Sequence, residues 1–162
     1  METKKLSLEE WGEYAKKGAD IPITVPLHGS SMEPLIRYMK DPVTIVPLKR
    51  DPLVGDIVMF RRSDGAYVAH RVYKVTANKI ITWGDNCVRP DAPLLRKDVI
   101  GLIISMERNG KKHLLDTDKQ RAYGIRWMTF YRRLWRIYIN LRHVAGRVIR
   151  FLLPEYHKKS SN

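Results

Sequence analysis

His28-Gly29-Ser30-Ser31-Met32-Glu33-Pro34-Leu35 follows an apolar segment, Ile21 to Leu27, with a small, turn-permitting run. Glycine tolerates backbone angles that side chains disfavour, and serine hydroxyls bond to nearby backbone. Gly29-Ser30-Ser31 can therefore turn a hydroxyl out of a strand end. Pro34 lacks the amide that a continuing strand needs. Alone, such a run is an ordinary loop, and its meaning depends on the segments around it.

Ile23 to Leu27, Val43 to Val46, Asp56 to Arg62, Tyr67 to Val75, Lys79 to Trp83 and Val99 to Met106 are rich in Val, Ile and aromatic residues. Turn signals such as Ser63-Asp64-Gly65 and Ala77-Asn78 separate them. Many short strands at close spacing predict a mainly β chain, with a coiled, barrel-like antiparallel domain over 21–108. Ahead of it, Ser7-Leu8-Glu9-Glu10 reads as a capping box. It opens a short helix that ends at Gly18, within an N-terminal segment 1–20, with Trp11, Tyr14 and Ala15 as its packing face. Asn109-Gly110-Lys111-Lys112 reads as a tight turn or the start of a linker over 109–118. From Lys119 to Leu153 there is no Asp or Glu. This stretch predicts a long basic amphipathic helix over 119–154, relaxed near Gly124 and Gly146, closed by Pro154 and followed by a polar tail at 155–162. On a helical wheel, Arg132, Arg133, Arg136, Arg147 and Arg150 gather on one side. Trp127, Phe130, Tyr131, Leu134, Tyr138, Leu141, Val144, Val148 and Leu152 gather on the other, with Arg142 misplaced among them.

Thirty Lys and Arg against 17 Asp and Glu leave a net charge of +13. An excess of that size points to an anionic partner: nucleic acid, an anionic membrane surface or an acidic protein. The single cysteine, Cys87, excludes an intrachain disulfide. The N-terminal residues carry no apolar signal-peptide core, and no run of about 18 apolar residues offers a transmembrane helix. The five histidines show no metal-ligand spacing and there is no Gly-rich phosphate loop, so neither metal nor cofactor is expected.

Five blocks in order, Gly29-Ser30-Ser31-Met32, Gly55-Asp56-Ile57-Val58-Met59-Phe60, Ala69-His70-Arg71-Val72, Trp83-Gly84-Asp85-Asn86 and Asp98-Val99-Ile100-Gly101, make the chain resemble the catalytic domain of type I signal peptidases. These are serine proteases related to LexA-like repressors. The resemblance covers about Val25 to Ile104, half of the chain. It implies their coiled β fold, with Ser31 as the nucleophile. The bacterial branch and the LexA-like proteases place a lysine where this chain has His70. The endoplasmic-reticulum and archaeal branch has histidine there, and this chain resembles that branch.

A serine hydroxyl is a poor nucleophile until a base takes its proton, and an imidazole suits that task near neutral pH. An acid that fixes the imidazole tautomer improves it. The His-type branch carries two aspartates six residues apart in the following loop, and Asp85 and Asp91 have that spacing. Asp91 is assigned to His70 and Asp85 to ordering the loop. The resemblance offers the Ser31 amide as an oxyanion donor. Many relatives read Ser-Gly-Ser-Met, so the hydroxyl two residues before the nucleophile is missing here, and Ser30 is the substitute on offer. Met32 and the flanking strand would line a cleft for an extended peptide. The family preference for small residues before the scissile bond is implied too.

The expected activity is thus an endopeptidase that removes a leader or signal segment from a protein or peptide. Two alternatives stay open: a non-enzymatic module on the same fold that binds a membrane or partner, and a LexA-like self-cleaving regulator. The regulator is disfavoured because no DNA-binding domain precedes the fold. The C-terminal helix fits peripheral contact with an anionic membrane, with Trp127, Trp135, Arg132, Arg133 and Arg136 at the surface. Docking on protein, with a cytoplasmic chain, is the alternative, and nucleic acid is disfavoured for want of a recognised module.

Overall fold

The computed structural model describes residues 7–152. It begins with α1 (Leu8–Lys16). The Ser7 hydroxyl accepts the Glu10 amide at 3.1 Å, and the Glu10 carboxylate accepts the Ser7 amide at 2.9 Å. This is the reciprocal cap expected from the sequence. The packing face is narrower than expected: Trp11 is buried and Ala15 half-buried, but Tyr14 is exposed. The Trp11 indole donates to the Ile21 carbonyl at 2.6 Å. Its ring lies so close to Gly101 that a Cβ there would come within 2.7 Å of it.

Eight strands follow: β1 (Ile23–Val25), β2 (Val43–Pro47), β3 (Ile57–Arg61), β4 (Tyr67–Val75), β5 (Lys79–Trp83), β6 (Leu94–Leu95), β7 (Val99–Arg108) and β8 (Lys111–Leu114). They form one curled, mainly antiparallel sheet in the order β1-β2-β7-β3-β4-β5-β6, with β8 paired to β7. Successive side chains of a strand point to opposite faces, and in β3 both faces are covered. Ile57 and Met59 join an apolar cluster with Trp11, Met32, Ile45 and Ile103. Val58 and Phe60 join a second with Val72, Ile80, Val99 and Leu102.

The expected strands all form, with ends shifted by a few residues. The linker at 109–118 does not. Asn109 (φ 53°) and Gly110 (φ 71°) make the left-handed turn of a hairpin, and the β domain runs past 108 into β8. All four β8 residues are exposed, so no alternation of apolar residues announced the strand. β6 went unread because it is two residues long.

The helix expected over 119–154 consists of α2 (Asp118–Arg126), a π-helical turn (Trp127–Tyr131) and α3 (Arg132–Leu152). Its irregularity falls at that wide turn rather than at Gly124 or Gly146. The chain divides after Met128, so α2 belongs with the β unit and α3 with a second unit. The side chains of Val148, Arg150 and Leu152, together with Pro154 and the tail at 155–162, lie outside the described residues. Among the described residues, no helix is long and apolar enough to cross a membrane.

Candidate active site

Ser31 lies in the loop after β1, and the β5–β6 loop holds it there. The Asn86 amide donates to the Ser31 carbonyl at 2.8 Å, and Asn86 Nδ2 donates to the Ser30 carbonyl at 3.2 Å. The far end of the Ser31 loop is tied down by Asp41, whose fully buried carboxylate accepts from Arg37 and Arg108. Burial alone would raise the Asp41 pKa, but these guanidiniums outweigh it and hold the carboxyl well below its usual range. Arg108 also donates to the Leu35 carbonyl at 2.7 Å.

His70 sits in the middle of β4, buried, with its ring edge-on to Phe60. Its Nδ1 lies 2.6 Å from Asp91 Oδ2, which also accepts the Thr82 hydroxyl at 2.6 Å. An ionised carboxylate only accepts, so Nδ1 carries a proton and Nε2 is the nitrogen free to exchange one. Burial disfavours the imidazolium, but the Asp91 carboxylate, with a smaller contribution from Cys87, outweighs it and pushes the His70 pKa up to about 9. Nε2 faces Cys87, whose Sγ is 3.9 Å away.

Ser31, His70, Cys87 and Asp91 line one cavity of about 600 Å³, bounded also by Val25, Leu27, Met32 and Met59. A Cβ added to Gly84 would lie 2.8 Å from both His70 Nε2 and the Ser31 carbonyl oxygen, so those two atoms are near neighbours. Among the described residues, no hydrogen bond joins Ser31 Oγ to His70. Such bonds are often long without substrate and tighten in the complex. Ser30 is exposed, while Met32 is 3% exposed and serves the core as well as the cavity floor.

Asp85 stands apart from His70. It forms a buried bidentate pair with Arg71, with Oδ1 2.9 Å from Nε and Oδ2 2.7 Å from Nη2. Arg71 also donates to the Gly55 carbonyl at 2.9 Å. The Asp85 carbonyl accepts the Trp127 indole at 3.0 Å. Trp127 is therefore buried in the β unit rather than presented to a membrane, because its N–H has a partner there. Arg132, expected at the surface, is 6% exposed. Arg133 and Arg136 are exposed, and Trp135 is half-buried.

Sequence reasoning missed Arg71, Thr82, Asn86 and Cys87. Arg71 follows His70 directly, and a charged residue inside an apolar strand was the available signal. Thr82 carried none, and Asn86 stood in the Trp83-Gly84-Asp85-Asn86 block with no role of its own. Among the described residues, no three His, Cys, Asp or Glu side chains converge as metal ligands would. Compared with models of known protein families and with curated proteins, the chain matches none.

Proposed function

We propose that this chain is a serine endopeptidase with the coiled β fold of type I signal peptidases, acting on a leader or signal segment of a protein or peptide. The observation that carries the reading is the His70–Asp91 pair opening onto the cavity that Ser31 lines. Ser31 Oγ attacks the scissile carbonyl carbon and its proton passes to His70 Nε2. Asp91 holds the Nδ1 proton and stabilises the imidazolium. Collapse of the tetrahedral intermediate expels the amine, which takes that proton, and leaves an acyl ester on Ser31. Water, deprotonated by His70, then releases the acid and frees the serine. Asp85 and Arg71 keep the β5–β6 loop in place.

The test is cleavage of peptides with small residues before the cut, followed by mass spectrometry. Ser31→Ala should lower turnover by roughly 10⁴-fold or more. One observation favours a second reading, in which the Cys87 thiol is the nucleophile: Sγ is the group that meets Nε2. Cleavage that survives Ser31→Ala but is lost in Cys87→Ser would establish it. If both variants match a wild type that cleaves nothing, the non-enzymatic binding module takes its place.

Peripheral contact with an anionic membrane belongs to the same proposal. Leu134, Ile137, Tyr138, Leu141 and Val144 of α3 are all exposed and recur at helical spacing, with Arg133 and Arg136 exposed beside them. An apolar stripe flanked by arginines and free of acids suits a helix lying at headgroup depth. Co-sedimentation with phosphatidylglycerol vesicles, and its loss in Leu134→Glu/Leu141→Glu, tests this. Equal retention on phosphatidylcholine would remove the electrostatic part.

A further inference from the structure

The β5–β6 loop turns on Gly84 to Cys87, closed by the Cys87 amide donating to the Gly84 carbonyl at 3.0 Å. Asp85 and Asn86 are the two central residues of this β-turn. The peptide between them is the part of a turn that can rotate, because a flip between type I and type II leaves the closing bond intact. Asn is, beside Gly, the residue that accepts the flipped form at the third position. Here that peptide is held on both edges. Its carbonyl, on Asp85, accepts the Trp127 indole N–H at 3.0 Å, and its amide, on Asn86, donates to the Ser31 carbonyl at 2.8 Å. A peptide unit is planar and rigid, so fixing its carbonyl fixes its amide. Hydrogen bonds in series also strengthen one another. The Asp85 carboxylate is held by Arg71 in any case, so the backbone carbonyl is what Trp127 adds. Trp127 is 8% exposed and stacks on Tyr123 with ring centroids 6.3 Å apart. It opens the π-helical turn Trp127–Tyr131, and such wide turns recur at functional sites.

We propose that Trp127 is a positioning residue for Ser31, locking the Asp85–Asn86 peptide so that the backbone of the nucleophile stays in register with His70. This role presupposes the peptidase reading above. Trp127 lies outside the stretch from Val25 to Ile104 over which the chain resembles signal peptidases, so the resemblance assigns it nothing. Without the indole N–H the peptide is able to turn its amide away from Ser31. The Ser31 carbonyl then loses that tether, and the longer bond from Asn86 Nδ2 to the Ser30 carbonyl, at 3.2 Å, is left to hold the loop more loosely. The helical segment after the β domain thus becomes part of the working site.

The experiment uses the full chain and two variants that separate the roles of the indole. Trp127→Phe keeps an aromatic ring and removes the N–H. Trp127→Gln keeps an N–H donor at the same number of bonds from Cα and gives up the ring. Amide hydrogen exchange, followed by NMR, reads the turn, and kcat and KM on an alanine-rich peptide read the site. In Trp127→Phe the Asn86 amide should exchange roughly tenfold faster, with a much smaller change in the amides of β3 and β7. Its kcat should fall about tenfold with KM within about twofold, because misplacement acts on the reacting geometry. Trp127→Gln should melt lower than Trp127→Phe, since it gives up more apolar burial, yet stay closer to wild type in both Asn86 exchange and kcat. A tryptophan that only fills space gives the opposite order, and that result overturns the assignment. Unchanged Asn86 exchange in Trp127→Phe, or faster exchange with full kcat, also overturns it and leaves the peptidase reading standing. Faster Asn86 exchange in a chain whose wild type cleaves no peptide keeps the link from Trp127 to the Ser31 loop and removes the peptidase reading.

Discussion

Gly124 of α2 lies against the guanidinium of Arg71, so close that a Cβ on it would sit 2.6 Å from Arg71 Cζ. Arg71 cannot yield, because Asp85 and the Gly55 carbonyl hold it from two sides. Gly124→Ala therefore has to push α2 away, and overpacking of this kind typically costs 1–3 kcal/mol. We expect a fall in Tm of about 3–10 °C by calorimetry. An unchanged melt would mean that α2 is not seated where this contact places it.

The Arg71–Asp85 pair is 1% exposed at both side chains. Removing one partner leaves a buried charge without its counterion. Arg71→Met should thus destabilise the fold by about 3–5 kcal/mol, measured by denaturant unfolding. Replacing both, as Arg71→Met/Asp85→Leu, removes both charges and should recover most of that loss. A double variant no better than the single one would show that the pair's hydrogen bonds to the loop, rather than the stranded charge, set the stability.

Gly84→Ala addresses the site itself. The added methyl meets Cys87 Sγ at 2.7 Å and both His70 Nε2 and the Ser31 carbonyl at 2.8 Å. On the peptidase reading, it would wedge open the space where Ser31 and His70 converge. Small misplacements of this kind cost roughly 10²-fold, so kcat/KM should fall by about that factor on a peptide substrate while far-UV circular dichroism stays native. Full activity would place the reacting groups elsewhere.

Much of this was legible in the sequence, for identifiable reasons. The Ser7–Glu10 cap and β4 with His70 at its centre depend on local spacing, which one chain displays. The His70–Asp91 contact joins residues 21 positions apart, and it was read from the Asp85/Asp91 spacing of the family the chain resembles. What stayed hidden depends on tertiary packing. Trp127 looked like a membrane anchor because its helix is amphipathic, yet its N–H is taken by the Asp85 carbonyl. Cys87 reads in the sequence only as a lone thiol that cannot form an intrachain disulfide, and its position 3.9 Å from His70 Nε2 depends on the fold. The exposed lysines of β8 gave no pattern to read.

His70 has a folded-state pKa of about 9, above the ordinary 6.5, so its imidazole is protonated at neutral pH and becomes a free base only as pH rises past that value. On the peptidase reading, kcat/KM should climb through a single ionisation near pH 9. The stability that the His70–Asp91 pair contributes runs the other way. It is fully present below about 6.5 and is lost as pH rises through about 9. Activity should therefore increase over the same window in which the melting temperature declines. Asp91→Asn removes the carboxylate that holds the proton, so it should move the activity limb to lower pH and flatten the stability loss. It should also lower kcat by roughly 10³- to 10⁴-fold through loss of the oriented tautomer. Cys87→Ala removes the smaller contribution and should move the limb in the same direction with far less loss of rate. These profiles can be measured with one peptide substrate and with melts across pH 6–10. A limb that stays put in Asp91→Asn would assign the ionisation to a group other than His70.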